Sequence, residues 1–168
     1  MAQWLPGDLD NPQLPHSLEA EQAVIGGLML ANDAYHDVAA VVSEADFFIR
    51  DHRIIFGTMG RLAAAEQPLD ALTLAETLKN SDQLAMAGGD AYLVELVTNA
   101  PSTTNIRSYA QIVLERAVVR RLIDAATDIL RKGYNPLGWD SSKLLAEAER
   151  RLLEVIENRP KEGGFRHA

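Results

Sequence analysis

The hydrophobic positions of this chain recur at the spacing of helices and never alternate for long enough to form a strand. In the first clear segment, the apolar residues recur at the spacing of one helix face, at Leu18, Val24, Ile25, Leu28 and Met29. The same period predicts further helices from about residue 52 to 65 and from residue 91 to 98. Because no segment shows a sustained period of two, the pattern indicates an all-α protein.

Capping residues and helix breakers divide the first hundred residues into short helices. Ser17 is a good N-cap for the first helix, and Asn32-Asp33 breaks that helix. Thr73 and Glu76 have the spacing of a capping box, and Gly88-Gly89 marks another break. These signals predict a compact helical head over residues 16–104, after a flexible arm over residues 1–15.

The chain changes character after residue 104. From about residue 105 to residue 132 it contains no Gly or Pro, and Gly133 stands where a C-cap glycine is expected. Asp140 or Ser141 caps a last helix over about residues 142–158. We therefore predict an antiparallel helical hairpin over residues 105–158, followed by a tail or the start of a linker over residues 159–168.

Both predicted hairpin helices carry two adjacent lines of apolar residues. A two-helix hairpin buries about one narrow stripe on each helix, so the second line needs another partner. The pattern favours pairing of two hairpins between protomers into a four-helix bundle, and the alternative is that the head covers the second line. The predicted dimer interface comprises Tyr109, Ile112, Arg116, Val119, Ile123, Leu130, Leu144, Leu145, Leu152 and Ile156.

The predicted hairpin also carries charges. Arg116 lies in the apolar line, where it either pairs across an interface or extends to its edge. Pairs four residues apart, such as Asp128 with Lys132 and Glu147 with Arg151, are expected on solvated faces. Trp139 lies in the hairpin turn, where we expect it to be exposed and to contact a partner.

The net charge of -8 makes the chain a poor match for the DNA backbone, because phosphate binding needs clustered Lys and Arg. Arg116, Arg120, Arg121, Arg131 and Lys132 form a local basic concentration. An autonomous helical nucleic-acid-binding domain therefore stays the alternative to a protein-interaction module. The absence of cysteine fits a reducing, cytoplasmic compartment, and no segment is long and apolar enough for a membrane span.

The residues offer no catalytic constellation. No nucleotide-binding loop is present, and Gly26-Gly27 lies within a helical pattern, where it favours close helix packing. The histidines lack zinc-site spacing, which leaves a metal hydrolase as the weakest reading. We expect no catalytic, cofactor or metal site in this chain.

Five motifs in order make the chain resemble the N-terminal domain of the bacterial replicative DNA helicase family, DnaB. They are residues 15–27 (PHSLEAEQAVIGG), residues 46–56 with Asp46-Phe47-Phe48, His52-Arg53 and Ile55-Phe56, residues 68–74 (PLDALTL), residues 88–93 (GGDAYL), and residues 99–113 with Asn99-Ala100-Pro101-Ser102 and Tyr109-Ala110. Phe48 stands where family members often have Tyr.

The resemblance implies a helical head with a hairpin, hairpin-paired dimers, and a hexameric collar built as a trimer of dimers. It also implies docking of the helicase-binding domain of DnaG primase, with Glu19 and Tyr92 as the contact residues. It further implies that ATP and Mg²⁺ belong to an ATPase domain absent from this chain, which would then be a non-enzymatic piece of a longer helicase.

Overall fold

The computed structural model describes residues 13–158, so most of the predicted arm (residues 1–12) and all of the predicted tail (residues 159–168) lie outside the described residues. The described part contains helices and turns and no strand, as the sequence predicts. The helices are α1 (Leu18–Leu30), α2 (Tyr35–Ala39), α3 (Arg50–Ala64), α4 (Ala71–Asn80), α5 (Gly89–Thr98), α6 (Ile106–Tyr134) and α7 (Ser141–Glu157). Short 3₁₀ turns lie at Asn32–Ala34, Glu44–Asp46 and Thr103–Asn105.

The chain forms two compact units. One unit, which we call the head, comprises His16–Ala117. The other contains residues 118–158 of the described chain together with residues 13–15. Helix α6 begins in the first unit and ends in the second.

Helix α1 is the central element of the head. From Ala20 to Met29 every residue except Gln22 is buried, as expected of a helix that is surrounded by other helices. It packs against α5 and α3, and α4 packs against both of those helices. Val24, Ile25 and Leu28 have no exposed surface and lie at the centre of the core.

The glycine pair in α1 permits close helix packing, as the sequence predicts. A Cβ at Gly26 would overlap the backbone carbonyl of Leu96 in α5, and a Cβ at Gly27 would lie 2.8 Å from Cδ1 of Ile106. The close approach of α1 to α5 therefore requires glycine at Gly26, where the obstacle is backbone, whereas a Cβ at Gly27 would displace the end of the Ile106 side chain.

The first turns of α6 belong to the head. Ile106, Ala110 and Val113 are buried in the same hydrophobic core as α1 and α5. The head thus extends to Ala117 in the structure, whereas the sequence places its end at residue 104. The reason is that the apolar line at the start of α6 is covered by the head core.

Several predicted caps are corrected. The N-cap of α4 is Asp70, whose side chain accepts a hydrogen bond from Thr73 N at 2.8 Å, so the predicted capping box of Thr73 and Glu76 is wrong. Gly133 lies inside α6, and the left-handed residues after that helix are Leu137 and Gly138. The prediction of Ser17 as an N-cap is confirmed, and of the two residues predicted to cap the last helix, Asp140 is the N-cap and Ser141 is the first helical residue.

Candidate functional site

A buried polar chain runs through the head from α1 to α3. The side chains of Glu21 and His52 are 2% and 0% exposed, and Glu21 Oε1 lies 2.8 Å from His52 Nδ1. Glu21 also accepts hydrogen bonds from Phe48 N at 2.7 Å and Ile49 N at 3.2 Å. Ile49 is the N-cap residue of α3, so the carboxylate satisfies backbone donors at the positive end of that helix.

The polar chain continues to Tyr92 of α5 at the head surface. The Tyr92 hydroxyl lies 2.6 Å from His52 Nε2 and accepts a hydrogen bond from Gln22 Nε2 at 3.2 Å. Burial raises the pKa of Tyr92, and the neighbouring carboxylates of Asp51 and Glu95 raise it further, against a lowering by the Gln22 hydrogen bond. Tyr92 therefore keeps its phenolic proton at neutral pH.

A surface groove lies beside this chain in the head. It is a cavity of about 250 Å³ between α1 and α5, with Glu19 and Glu95 among its lining residues. The other lining residues are Gln22, Ala23, Leu96, Asn99 and Pro101. Glu19 is exposed and Tyr92 is partly buried, and Gln22 belongs both to the groove and to the Tyr92 hydrogen bond. Gln22 therefore lines the same groove as Glu19 and also binds Tyr92, and these are the two residues that the resemblance implies for primase docking.

Sequence reasoning missed Glu21, His52 and Gln22. The position of Glu21 in the first turn of α1 indicates only a role at the N-terminus of that helix, whereas its carboxylate caps α3. A signal was present, because Glu21 lies four residues before Ile25 and seven before Leu28, on a face of α1 that is otherwise apolar.

In the second unit, α6 and α7 are joined by ion pairs. Lys132 Nζ lies 2.7 Å from Glu147 Oε2, and Arg151 Nε lies 3.1 Å from Asp128 Oδ2. From Lys132 to Asp128 the chain runs four residues back along α6, whereas from Glu147 to Arg151 it runs four residues forward along α7. The two helices are therefore antiparallel, which confirms the predicted hairpin. The structure confirms the predicted pair of Asp128 with Lys132 at 2.9 Å. Arg151, however, reaches across to α6, where sequence spacing had paired it with Glu147.

One face of α7 is apolar and uncovered by the described chain. No residue of α7 is buried, and Leu145 and Ile156 are 71% and 64% exposed. We call the surface formed by the following residues the α7 stripe: Leu145, Ala146, Glu149, Leu152, Leu153 and Ile156. Helices draw most of their stability from packing of an apolar face, so the α7 stripe is a candidate interaction surface.

The residues predicted for the dimer interface differ in exposure. Tyr109 is partly buried against the head core, whereas Ile112 is exposed. Val119, Leu145, Leu152 and Ile156 are exposed, and the remaining four are partly buried: Arg116, Ile123, Leu130 and Leu144. The α7 members form the most open part of the set.

The hairpin turn corrects the expectation for Trp139. Its ring is partly buried, with Lys143 Nζ 4.6 Å and Lys132 Nζ 5.9 Å from its centroid. Tyr134, the last residue of α6, and Leu137 in the turn are exposed.

Two of the basic residues of α6 contact other groups of the described chain. Lys132 contacts two carboxylates, and Arg120 Nη1 donates a hydrogen bond to the Pro15 carbonyl at 2.7 Å. Within residues 13–158, no three side chains of the types His, Cys, Asp and Glu lie close enough to hold a metal ion. None of the helices in that range is both long and apolar enough to cross a membrane.

A family model described as the DnaB-like helicase N-terminal domain matches residues 13–115. The chain belongs to this family. A replicative DNA helicase DnaB from Buchnera aphidicola is 45% identical over 145 residues, which cover 86% of this chain and 31% of that protein. The chain therefore spans about a third of the length of that curated relative.

Solved structures agree with the assignment to the DnaB-like family. The N-terminal domain of DnaB helicase from Mycobacterium tuberculosis matches with a TM-score of 0.78 and 32% identity, over 84% of this chain and 99% of that one. A DnaB-like replicative helicase, solved in a study of its interactions with primase, matches with a TM-score of 0.69 and 27% identity. That match covers 83% of this chain and 31% of the helicase chain.

Proposed function

We propose that this chain is the collar domain of a replicative DNA helicase, which assembles the helicase ring and docks primase during DNA replication. The observation that carries the assembly role is the α7 stripe, because a helix of 17 residues buries none of them in a single copy. Membership of the DnaB-like family supports the same role. In this proposal the domain acts in the cytoplasm, has no catalytic site and needs no cofactor of its own, and ATP and Mg²⁺ serve another part of the helicase.

The proposed assembly begins with pairing of two hairpins through the α7 stripe and the apolar line of α6. A four-helix bundle would cover Leu145, Leu152 and Ile156, which are exposed in the single chain. Three such dimers would then form a hexameric collar with the two-fold contacts that closed oligomers commonly use.

Light scattering on the 168-residue chain tests this assembly. Leu145→Glu places a charge in the proposed interface, and we expect the mass to fall toward that of the monomer while the helical circular dichroism is retained. Leu72→Glu is the matched control, because Leu72 is 74% exposed on α4 of the head. A wild-type mass equal to one chain, or an unchanged mass for Leu145→Glu, contradicts the proposal.

The proposed primase site is the head surface that carries Glu19 and Tyr92. The similarity to a helicase solved in a study of its interactions with primase supports this partner. The groove between α1 and α5 supports the location, because it gives the surface a concave shape next to a partly buried aromatic ring. Calorimetric titration of the chain with the helicase-binding domain of primase tests it, and an absence of binding at micromolar concentrations refutes the docking role.

A titration with single-stranded DNA at low salt tests the alternative of a nucleic-acid-binding domain. We expect no binding in the micromolar range, because the chain has a net charge of -8 and because Lys132 and Arg151 of the hairpin contact carboxylates. Micromolar affinity with a steep dependence on salt would instead favour the alternative.

A further inference from the structure

We propose that the buried pair of Glu21 and His52 positions the Tyr92 hydroxyl and ring for partner docking at the head surface. His52 is then a positioning residue, since it has no exposed surface and acts only through Tyr92. This inference rests on the proposed docking of primase at that surface.

The donors and acceptors of this chain of contacts fix the role of each group. The Glu21 carboxylate only accepts hydrogen bonds, so the hydrogen of the His52 ring lies on Nδ1, which is 2.8 Å from Glu21 Oε1. In the neutral ring, Nε2 is then an acceptor, and the Tyr92 hydroxyl donates to it over 2.6 Å. The Tyr92 oxygen in turn accepts from Gln22. Glu21 thereby fixes the His52 tautomer whose Nε2 accepts the hydrogen of the Tyr92 hydroxyl.

The Tyr92 ring also lies against the backbone of Gly88. A Cβ at Gly88 would lie 2.6 Å from Cδ2 of Tyr92, so the ring lies directly over the Gly88 backbone. The ring is nearly parallel to that of His52, with an interplanar angle of 12°. A tyrosine restrained at both its ring and its hydroxyl loses little freedom when a partner binds, which favours it as a docking residue.

A buried charged or polar pair is a weak source of stability by itself, because desolvation offsets much of the attraction. An apolar pair of similar volume could fill this part of the core. The pair is more readily explained by its continuation to Tyr92 and Gln22, because Gln22 also lines the groove that contains Glu19. The buried contacts thus end at the proposed docking surface.

Two substitutions of His52 separate positioning from stability. In His52→Asn, the shorter amide can donate to Glu21 near the position of Nδ1, but it leaves the Tyr92 hydroxyl without its inward acceptor. In His52→Gln, the longer amide can accept from Tyr92 near the position of Nε2, but it leaves the buried Glu21 carboxylate without its third donor. Both variants and the wild type are titrated calorimetrically with the helicase-binding domain of primase, at a temperature where circular dichroism shows each to be folded.

Of the two His52 variants, we expect the less stable one to bind the primase domain more tightly. His52→Gln has the lower unfolding temperature yet binds nearly as the wild type does, whereas His52→Asn binds roughly tenfold more weakly, the effect of about one hydrogen bond. Tyr92→Phe weakens binding to a similar extent, and adding His52→Asn to it causes no further loss. This last result identifies Tyr92 as the residue through which His52 acts.

Three results would overturn the inference. If the wild type binds but His52→Asn and Tyr92→Phe bind equally well, or if affinity falls in the same order as stability, His52 has only a structural role while the docking proposal stands. If the wild type binds no primase domain, the docking proposal fails and this inference fails with it.

Discussion

Gly26 of α1 lies directly against the backbone carbonyl of Leu96 in α5, at a distance that leaves no room for a methyl group. Since the obstacle is backbone and not the end of a flexible side chain, the two helices must separate to admit one. We predict that Gly26→Ala lowers the free energy of unfolding by about 2 kcal/mol, the cost typical of overpacking a core. Chemical denaturation followed by circular dichroism measures the change.

Gly133→Ala is the control for this prediction. Gly133 lies inside α6, and a Cβ there meets nothing within 4 Å. Alanine is the better helix former, so this variant should be stabilised by up to roughly 1 kcal/mol. Equal effects of the two substitutions would contradict the packing argument.

The second prediction concerns Glu21, a buried carboxylate that accepts hydrogen bonds from three donors. Glu21→Gln offers an amide where Phe48 N, Ile49 N and His52 Nδ1 all need an acceptor. One donor then faces another donor, so we expect a loss of about 2 kcal/mol in the free energy of unfolding. Glu19→Gln, two residues earlier and exposed, should change it by less than about 0.5 kcal/mol. A loss of equal size for both would show that the carboxylates act only on the helix dipole of α1.

The sequence predicts the local features of this fold well, since those features depend on neighbours along the chain. The caps Ser17 and Asp140 and the break at Asn32 follow from residue types and short spacings. The apolar surplus of the hairpin also follows from helical periodicity, and the uncovered α7 stripe agrees with it. Such signals need no knowledge of the tertiary structure.

The features missed are those that join distant segments. Glu21 binds backbone groups 27 and 28 residues away, and local spacing does not show which helix terminus it meets. Arg151 was assigned to Glu147 on its own helix, but packing of α7 on α6 brings it to Asp128. In each case the tertiary partner replaces the sequence neighbour.

The ion pairs of the hairpin carry a prediction about pH. The hydrogen bond from Arg150, followed by that from Lys132, lowers the pKa of Glu147 from 4.5 to about 2, and Lys132 lowers the pKa of Asp128. A carboxyl whose pKa is depressed in the folded state stabilises it above the unfolded pKa and loses that effect as pH falls through the folded pKa. We therefore expect hairpin stability to decline from about pH 4.5 to pH 2.

Trp139 fluorescence in a Trp4→Phe background measures this decline, because these are the two tryptophans of the chain. The hairpin stability of Glu147→Gln should depend less on pH in this window than that of the wild type. In 1 M salt, which screens exposed charges, the difference in stability between this variant and the wild type should be smaller. Glu115→Gln, an exposed position on α6, should follow the wild-type curve. Parallel curves for Glu147→Gln and wild type would show that the ion pairs contribute nothing to the hairpin.

The C-terminus of α3 carries the last prediction. Gln67 N donates to Leu62 O at 2.8 Å, which closes the helix around Glu66 in the left-handed conformation, with φ of 55°. This conformation is strained for any residue with a Cβ, and the exposed Glu66 side chain offers little packing in return. We predict that Glu66→Gly raises the free energy of unfolding by roughly 0.5–1 kcal/mol, after allowance for the greater freedom of glycine in the unfolded chain. Glu76→Gly, an exposed position within α4, should lower it by about 1 kcal/mol because it loses helix propensity without relieving strain. Chemical denaturation of both variants measures whether the free energy of unfolding rises or falls at each position. A loss of stability at both positions would mean that the backbone at Glu66 is not strained.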